Sequence, residues 1–176
     1  MNIKSSTLEV IQGDITTLAV DAIVNAAKNS LGGGGGVDGA IHRVAGPSIK
    51  RECEVRYPQG CKTGEAVITS GGNLLAKHII HTVGPVWHGG KKGEPELLAS
   101  CWNSCLKLAV QEECQSIAFC SISTGIFGYP VKLAAPIAII EVKKFLEALP
   151  QGCSLNVIVC AYSENDQIVY SRALKQ

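Results

Sequence analysis

Gly32-Gly33-Gly34-Gly35-Gly36-Val37-Asp38-Gly39 is the stretch around which the rest of the chain arranges itself. Glycine loses more backbone entropy on ordering than any other residue, so five in a row inside a folded chain need an offset. Close approach of backbone N–H groups to a ligand supplies one. Upstream, Asp21-Ala22-Ile23-Val24-Asn25-Ala26-Ala27 reads as a short apolar strand, and Val37 to Ala45 reads as a helix. Strand, glycine-rich loop and helix start together make an anion site, because orphan N–H groups and the macrodipole there favour negative charge. Phosphate is the first ligand to expect. The spacing is neither G-x-G-x-x-G nor the G-K-[ST] of a P-loop. Asp38 does not suit a simple phosphate cradle, since phosphate repels a carboxylate, so it needs a task of its own.

Beyond this unit, strands and helices continue to alternate. Thr7–Gln12 reads as a strand ended by Gly13-Asp14-Ile15-Thr16, where Asp14 suits an Asx-type turn. Helical periodicity returns from Ser48 to Tyr57, and strands are expected at Ala66–Thr69 and His78–Val83. An amphipathic helix is expected from Glu96 to about Glu113, then a buried strand at Ser116–Ile122. A helix from about Val131 to Leu149, a strand at Leu155–Ala161 and a terminal helix at Gln167–Leu174 complete the pattern. Alternation of this kind predicts an α/β domain with helices on both faces of a sheet. No boundary or internal repeat divides residues 1–176, so one domain is expected.

Composition limits the functional classes. Hydrophobic residues are 46% and aromatics 5%, so the core must be built from Ala, Val, Ile and Leu. That suits strands buried on both faces. A net charge of +1 gives no global attraction to nucleic acid. No apolar run reaches the length of a membrane span, and Met1 to Ser6 lacks a signal-peptide apolar core, so a cytoplasmic protein is expected. The eight cysteines contain no C-x-x-C and read as reduced, buried thiols rather than a metal site. His78 and His81 read as strand histidines with satisfied ring nitrogens. No metal and no cofactor are expected.

A second loop, Ser123-Thr124-Gly125-Ile126-Phe127-Gly128-Tyr129, also joins a buried strand to a helix. Its glycines allow close backbone approach, Ser123 and Thr124 offer hydroxyl donors, and Phe127 and Tyr129 offer apolar walls. Ligands of open α/β sheets sit beyond the carboxyl ends of strands. Two such loops can clamp one diphosphate between them.

Taken together, several segments resemble the macro domain, an ADP-ribose-binding module. They are Gly13-Asp14-Ile15-Thr16, Val24-Asn25-Ala26-Ala27, Gly33 to His42, His81-Thr82-Val83-Gly84-Pro85 and Ile122 to Pro130. The G-G-G-G-V-D-G-A-I-H form is similar to the MacroD-type branch, which includes bacterial O-acetyl-ADP-ribose deacetylases, one of them also a regulator of ribonuclease III. The resemblance spans essentially the whole chain. It implies a three-layer α/β/α sandwich with a mixed central sheet and a cleft at the strand ends. It implies that Asp14 bonds the adenine amino group beside Ile15, and that Tyr162 lies against the adenine. Asn25, Lys28, Gly36, Val37 and Asp38 would line the distal ribose and diphosphate. Ser123, Thr124, Gly125, Ile126 and Phe127 would wrap the diphosphate. The partners implied are ADP-ribose, O-acetyl-ADP-ribose, mono-ADP-ribosylated proteins and a ribonuclease III, with a monomer as the default state.

The family reaction splits an ester, which needs an activated water and stabilisation of developing negative charge. Asp38 is the candidate catalytic residue. A carboxylate becomes a stronger base when partly buried beside negative charge. Two readings fit: Asp38 deprotonates the water, or a substrate phosphate does so and Asp38 positions the ribose. His42, one turn later on the same helix face, either orients the carboxylate or packs the helix. One position departs from the pattern. MacroD-type sequences carry N-A-A-N, and this chain reads Asn25-Ala26-Ala27-Lys28. Lysine has three donors and no acceptor, unlike an amide. A Lys28 ammonium near Asp38 would weaken the base, whereas one at the diphosphate would strengthen binding. Asn29 can replace the missing amide only if the loop shifts by one residue. Gly32 stands where the family carries a bulky apolar residue, which loosens the loop. Hydrolase, non-catalytic ADP-ribose reader and ribonuclease regulator are the three functions to weigh.

Overall fold

Short segments rich in Val, Ile and Ala form the middle of the sheet because both of their faces are covered. The computed structural model describes residues 1–176. Its elements run β1 (Asn2–Ile3), β2 (Ser6–Gln12), β3 (Ala22–Ala26), α1 (Gly36–Ala45), α2 (Ser48–Arg56), β4 (Ala66–Ser70), β5 (His78–Thr82), α3 (Glu94–Gln111), β6 (Ser116–Phe119), α4 (Val131–Ala148), β7 (Asn156–Ala161) and α5 (Glu164–Lys175). The strand order is β1-β2-β7-β6-β3-β5-β4. From β2 to β5 the strands are parallel, while β1 and β4 add antiparallel edges. This is a mixed central sheet in a three-layer α/β/α sandwich.

Register separates the two faces. Val24 pairs with Phe119 across β3 and β6, so these two share a face and Asn25 takes the other. On the Phe119 face, Trp102 of α3 stacks on that ring at 4.2 Å between centroids and 17° between planes. Both are fully buried. On the Asn25 face, α1 packs on β3 and α2 on β4. The parallel strands therefore end along one edge, beside the start of α1.

Several boundaries differ from expectation: β6 ends at Phe119 rather than Ile122, and three other differences have a visible cause. β1 is a two-residue strand tied to β2 by Asn2–Thr7 and Ile3–Ser6 pairing, too short to leave a periodic signal. α3 begins at Glu94 rather than Glu96. The Glu94 carboxylate accepts the N–H groups of His88 (3.2 Å), Gly90 (2.6 Å) and Lys92 (2.7 Å), folding the preceding loop onto the helix start. Burial pushes the Glu94 carboxyl up, but these backbone donors outweigh it and hold it below the usual range. α5 begins at Glu164 rather than Gln167, because Ser163 accepts the Asp166 N–H at 3.1 Å and caps it. No helix is long and apolar enough to cross a membrane. All eight cysteines are free, and seven are buried.

Candidate functional site

The carboxyl ends of the five parallel strands open into one cavity of about 690 Å³. β2 contributes Gly13, Asp14 and Ile15. β3 contributes Ala26, Ala27 and Lys28. β5 contributes Gly84, β6 leads to Ser121 and Ser123–Phe127, and β7 leads to Tyr162. The glycine run supplies Gly34, Gly35 and Gly36 at the start of α1, followed by Val37 and Asp38.

The α1 start has no side-chain cap, since Gly35 holds the N-cap position, so the first-turn N–H groups stay available. Two glycines here are required by space. A Cβ on Gly39 would lie 2.4 Å from the Gly34 carbonyl oxygen, and one on Gly84 would lie 2.1 Å from Ser123 Oγ. Gly33 lies outside the wall and packs against the His42 ring.

Asp38 is 6% exposed and sits in the first turn of α1. Asn25 Nδ2 donates to its Oδ1 at 2.8 Å. Its Oδ2 has no partner in the chain, and the residue lines the cavity. His42 Nε2 lies 3.4 Å from Oδ1 without forming a hydrogen bond. Behind Asn25, His81 Nδ1 is 3.1 Å from the same Nδ2, and His81 Nε2 is 2.9 Å from Thr69 Oγ1. Burial, with His42 second, pushes the His81 imidazole down to about 3, so it is neutral.

The structure brings Asp14, Ile15, Lys28, Gly36, Val37, Asp38, Ser123, Thr124, Gly125, Ile126, Phe127 and Tyr162 into this one cavity wall. Asn25 is the exception. It is fully buried behind Asp38 and lines nothing, because its position on β3 points at the interior. Asp14 does make the Asx turn: its Oδ1 accepts Thr16 N at 2.9 Å and Thr16 Oγ1 at 2.7 Å. It lines the cavity as well.

Other details differ from the sequence reading. Tyr129 is no wall. It is 2% exposed and packs on Trp87, with ring centroids 4.5 Å apart. The Thr124 hydroxyl is engaged by Ser121 Oγ at 2.6 Å, whereas Ser123 Oγ is buried without a partner. Ser123 holds φ 67, a left-handed conformation uncommon outside glycine. Asn29 turns away from the cavity and donates to the Cys61 carbonyl at 2.9 Å, so it does not replace the missing amide. Lys28 is exposed at the cavity and makes no ion pair, with Asp38 or any other carboxylate. Ile126 (82% exposed) and Tyr162 (83% exposed) stand in the wall as exposed apolar surface. Ala40, Cys120, Cys160, Arg43 and Asp166 complete the lining.

Comparison with known proteins agrees with this fold. A family model described as Macro domain matches residues 24–138. A macro domain-containing protein of Chlorobaculum tepidum is 58% identical over 167 residues, covering 95% of each chain. A Salmonella gallinarum protein named O-acetyl-ADP-ribose deacetylase is 53% identical over 176 residues, covering 98% of this chain and 96% of its own. Among solved structures, an Oceanobacillus iheyensis macrodomain with ADP is similar at a TM-score of 0.92 and 43% identity, covering 99% of this chain and 93% of that one.

Proposed function

The chain belongs to the macro domain family, and from that membership we propose that it is a hydrolase of ADP-ribosyl esters. It seats ADP-ribose in the cleft and releases acetate from O-acetyl-ADP-ribose, or ADP-ribose from a mono-ADP-ribosylated acidic side chain. The observation that carries this reading is the Asp38 carboxylate, a cavity-lining group with one oxygen held by Asn25 and the other without a partner in the chain. The deacetylase name of the Salmonella relative and the ADP of the Oceanobacillus structure support it.

In this reading the adenine lies between Asp14, Ile15 and Tyr162. The diphosphate lies between the α1 start and Ser123–Phe127, where free N–H groups meet its charge. The distal ribose lies against Val37, Asp38 and Lys28. Asp38 Oδ2 orients the attacking water and takes its proton, or holds the ribose while a substrate phosphate takes it. The water oxygen bonds to the acyl carbon, and the ribose oxygen leaves with a proton.

A second reading, a binder without turnover, is favoured by one observation: Lys28 presents an exposed ammonium where the family pattern has an amide. Calorimetric titration with ADP-ribose and an O-acetyl-ADP-ribose hydrolysis assay separate the two, using the native chain, Asp38→Ala and Lys28→Asn. Native binding is expected at micromolar Kd, on the order of −8 kcal/mol. Asp38→Ala should keep binding and lose turnover. Absent binding would overturn both readings. Binding without hydrolysis, with hydrolysis gained in Lys28→Asn, would leave only the binder.

A further inference from the structure

Asn25, His81 and Thr69 are polar side chains in the middle of a sheet, 0%, 0% and 1% exposed. They stand on β3, β5 and β4. Asn25 pairs with His81 across β3 and β5, and Val67 pairs with His81 across β5 and β4. Thr69, two residues past Val67, therefore shares their face. Buried polar groups are costly unless bonded, and packing alone would place apolar residues here.

Each hydrogen bond in this chain has only one possible direction. A carboxylate only accepts, so Asn25 Nδ2 donates to Asp38 Oδ1. The second proton of the same Nδ2 faces His81 Nδ1, which must accept it. His81 Nε2 then carries the ring proton and donates to Thr69 Oγ1. The Thr69 hydroxyl donates in turn to the Ser70 carbonyl at 3.0 Å. Turning the Asn25 amide over would set its oxygen against the carboxylate oxygen, acceptor against acceptor. The amide also leaves its own Oδ1 buried without a partner. Both amide protons are committed at that cost.

We propose that Asn25 and His81 are positioning residues for Asp38, and that the Thr69–His81–Asn25 chain fixes which carboxylate oxygen faces the cleft. The inference rests on the hydrolase reading above for its catalytic consequence. Neither residue touches the substrate. Asn25 grips Oδ1 and thereby sets the rotation of the carboxylate, so Oδ2 alone presents its lone pairs to a water or ribose. His81 locks the amide, and Thr69 locks the tautomer of His81. The neutral imidazole is essential, because a proton on Nδ1 would oppose the Asn25 donor.

Three variants of the full chain test this: Asn25→Leu, His81→Leu and His81→Asn. The last restores an acceptor near the former Nδ1. In Asn25→Leu and His81→Leu, kcat for O-acetyl-ADP-ribose should fall about ten- to a hundred-fold, the scale of a misplaced catalytic group. The ADP-ribose Kd should stay within about three-fold, and His81→Asn should recover most of the lost kcat. Equal loss in His81→Leu and His81→Asn overturns the proposal. So does a rise in Kd that matches the fall in kcat.

If the native chain binds ADP-ribose but hydrolyses nothing, the hydrolase reading fails, and the chain is then tested by nitrogen-15 NMR. The native His81 ring should show the neutral Nε2–H tautomer, and its Nδ1 resonance should move in Asp38→Ala through Asn25. An Nδ1–H tautomer, or an unmoved Nδ1, overturns the proposal without any reference to turnover.

Discussion

Acidification should destabilise this protein through His81. The imidazole is buried against Asn25 and Thr69, and its folded value lies at about 3. In the unfolded chain it returns to about 6.5. Below that value the unfolded state binds a proton that the folded state refuses, so stability is complete above about pH 6.5 and falls as pH drops towards 3. At pH 5 the loss is about 1.5 pK steps of about 1.36 kcal/mol each, or about 2 kcal/mol. At pH 7.5 it is close to zero. The neighbouring charges do not reverse this sign. His42, with its ring 6.1 Å away, opposes protonation, and Glu52 favours it only as the smallest contribution. Urea unfolding at pH 7.5 and pH 5.0 measures the effect in the native chain and in His81→Gln. Glutamine cannot titrate, and it offers an amide donor towards Thr69. The variant will be less stable at both pH values, so the quantity of interest is the difference in pH dependence. The native chain should lose about 2 kcal/mol more than the variant between the two conditions. Equal losses would refute the reasoning, because the proton that destabilises the fold would then bind elsewhere.

Two other substitutions probe the scaffold, one at the cleft and one in the loop before α3. Gly39→Ala sets a Cβ 2.4 Å from the Gly34 carbonyl oxygen, so the glycine run must shift. It should cost about 1–3 kcal/mol in urea unfolding and weaken ADP-ribose binding at least about ten-fold by calorimetry. Glu94→Gln replaces the acceptor of three backbone N–H groups with a carboxamide that can accept at only one oxygen. Unfolding should show a loss of stability near neutral pH. Because the Glu94 carboxyl is held below its usual range, its contribution in the native chain is lost as pH falls from that range through the lower folded value, and the two proteins should converge in acid.

Features set by local periodicity were legible in the sequence. The strand–helix alternation, the α1 start and both cleft loops follow from spacing within one element, and each stands within a few residues of its expected place. Where side chains point within loops was not legible. Tyr129 reads as a wall until Trp87, far away in the chain, takes its ring. Thr124 reads as a free donor until Ser121 engages it. The chain behind Asp38 was invisible for the same reason. Asn25 and His81 are 56 residues apart and meet only because β3 and β5 pair in register, which no single-strand pattern encodes. The capping of α5 was available and missed: Ser163 three residues before Asp166 marks the start at which the helix is found.

The two-sided placement of Asp38 also bears on what Lys28 does. Oδ1 is held from the interior by Asn25, so Lys28 can act only on the cleft side, through Oδ2. Lys28 is exposed, and two unit charges in water interact by only about 1 kcal/mol even at 4 Å. That is less than a ten-fold change in the basicity of a carboxylate. An amide both donates and accepts whereas an ammonium only donates, so on the hydrolase reading the replacement misplaces the ribose, and misplacement by about 1 Å can cost about a hundred-fold. Geometry therefore outweighs charge at this position. Lys28→Asn and Lys28→Met remove the same charge, but only the first restores an amide. The hydrolysis rate should rise clearly in Lys28→Asn and change by less than about ten-fold in Lys28→Met. Equal gains in both would mean that the ammonium suppresses turnover electrostatically, and that the cleft screens charge far less than its exposure to water implies.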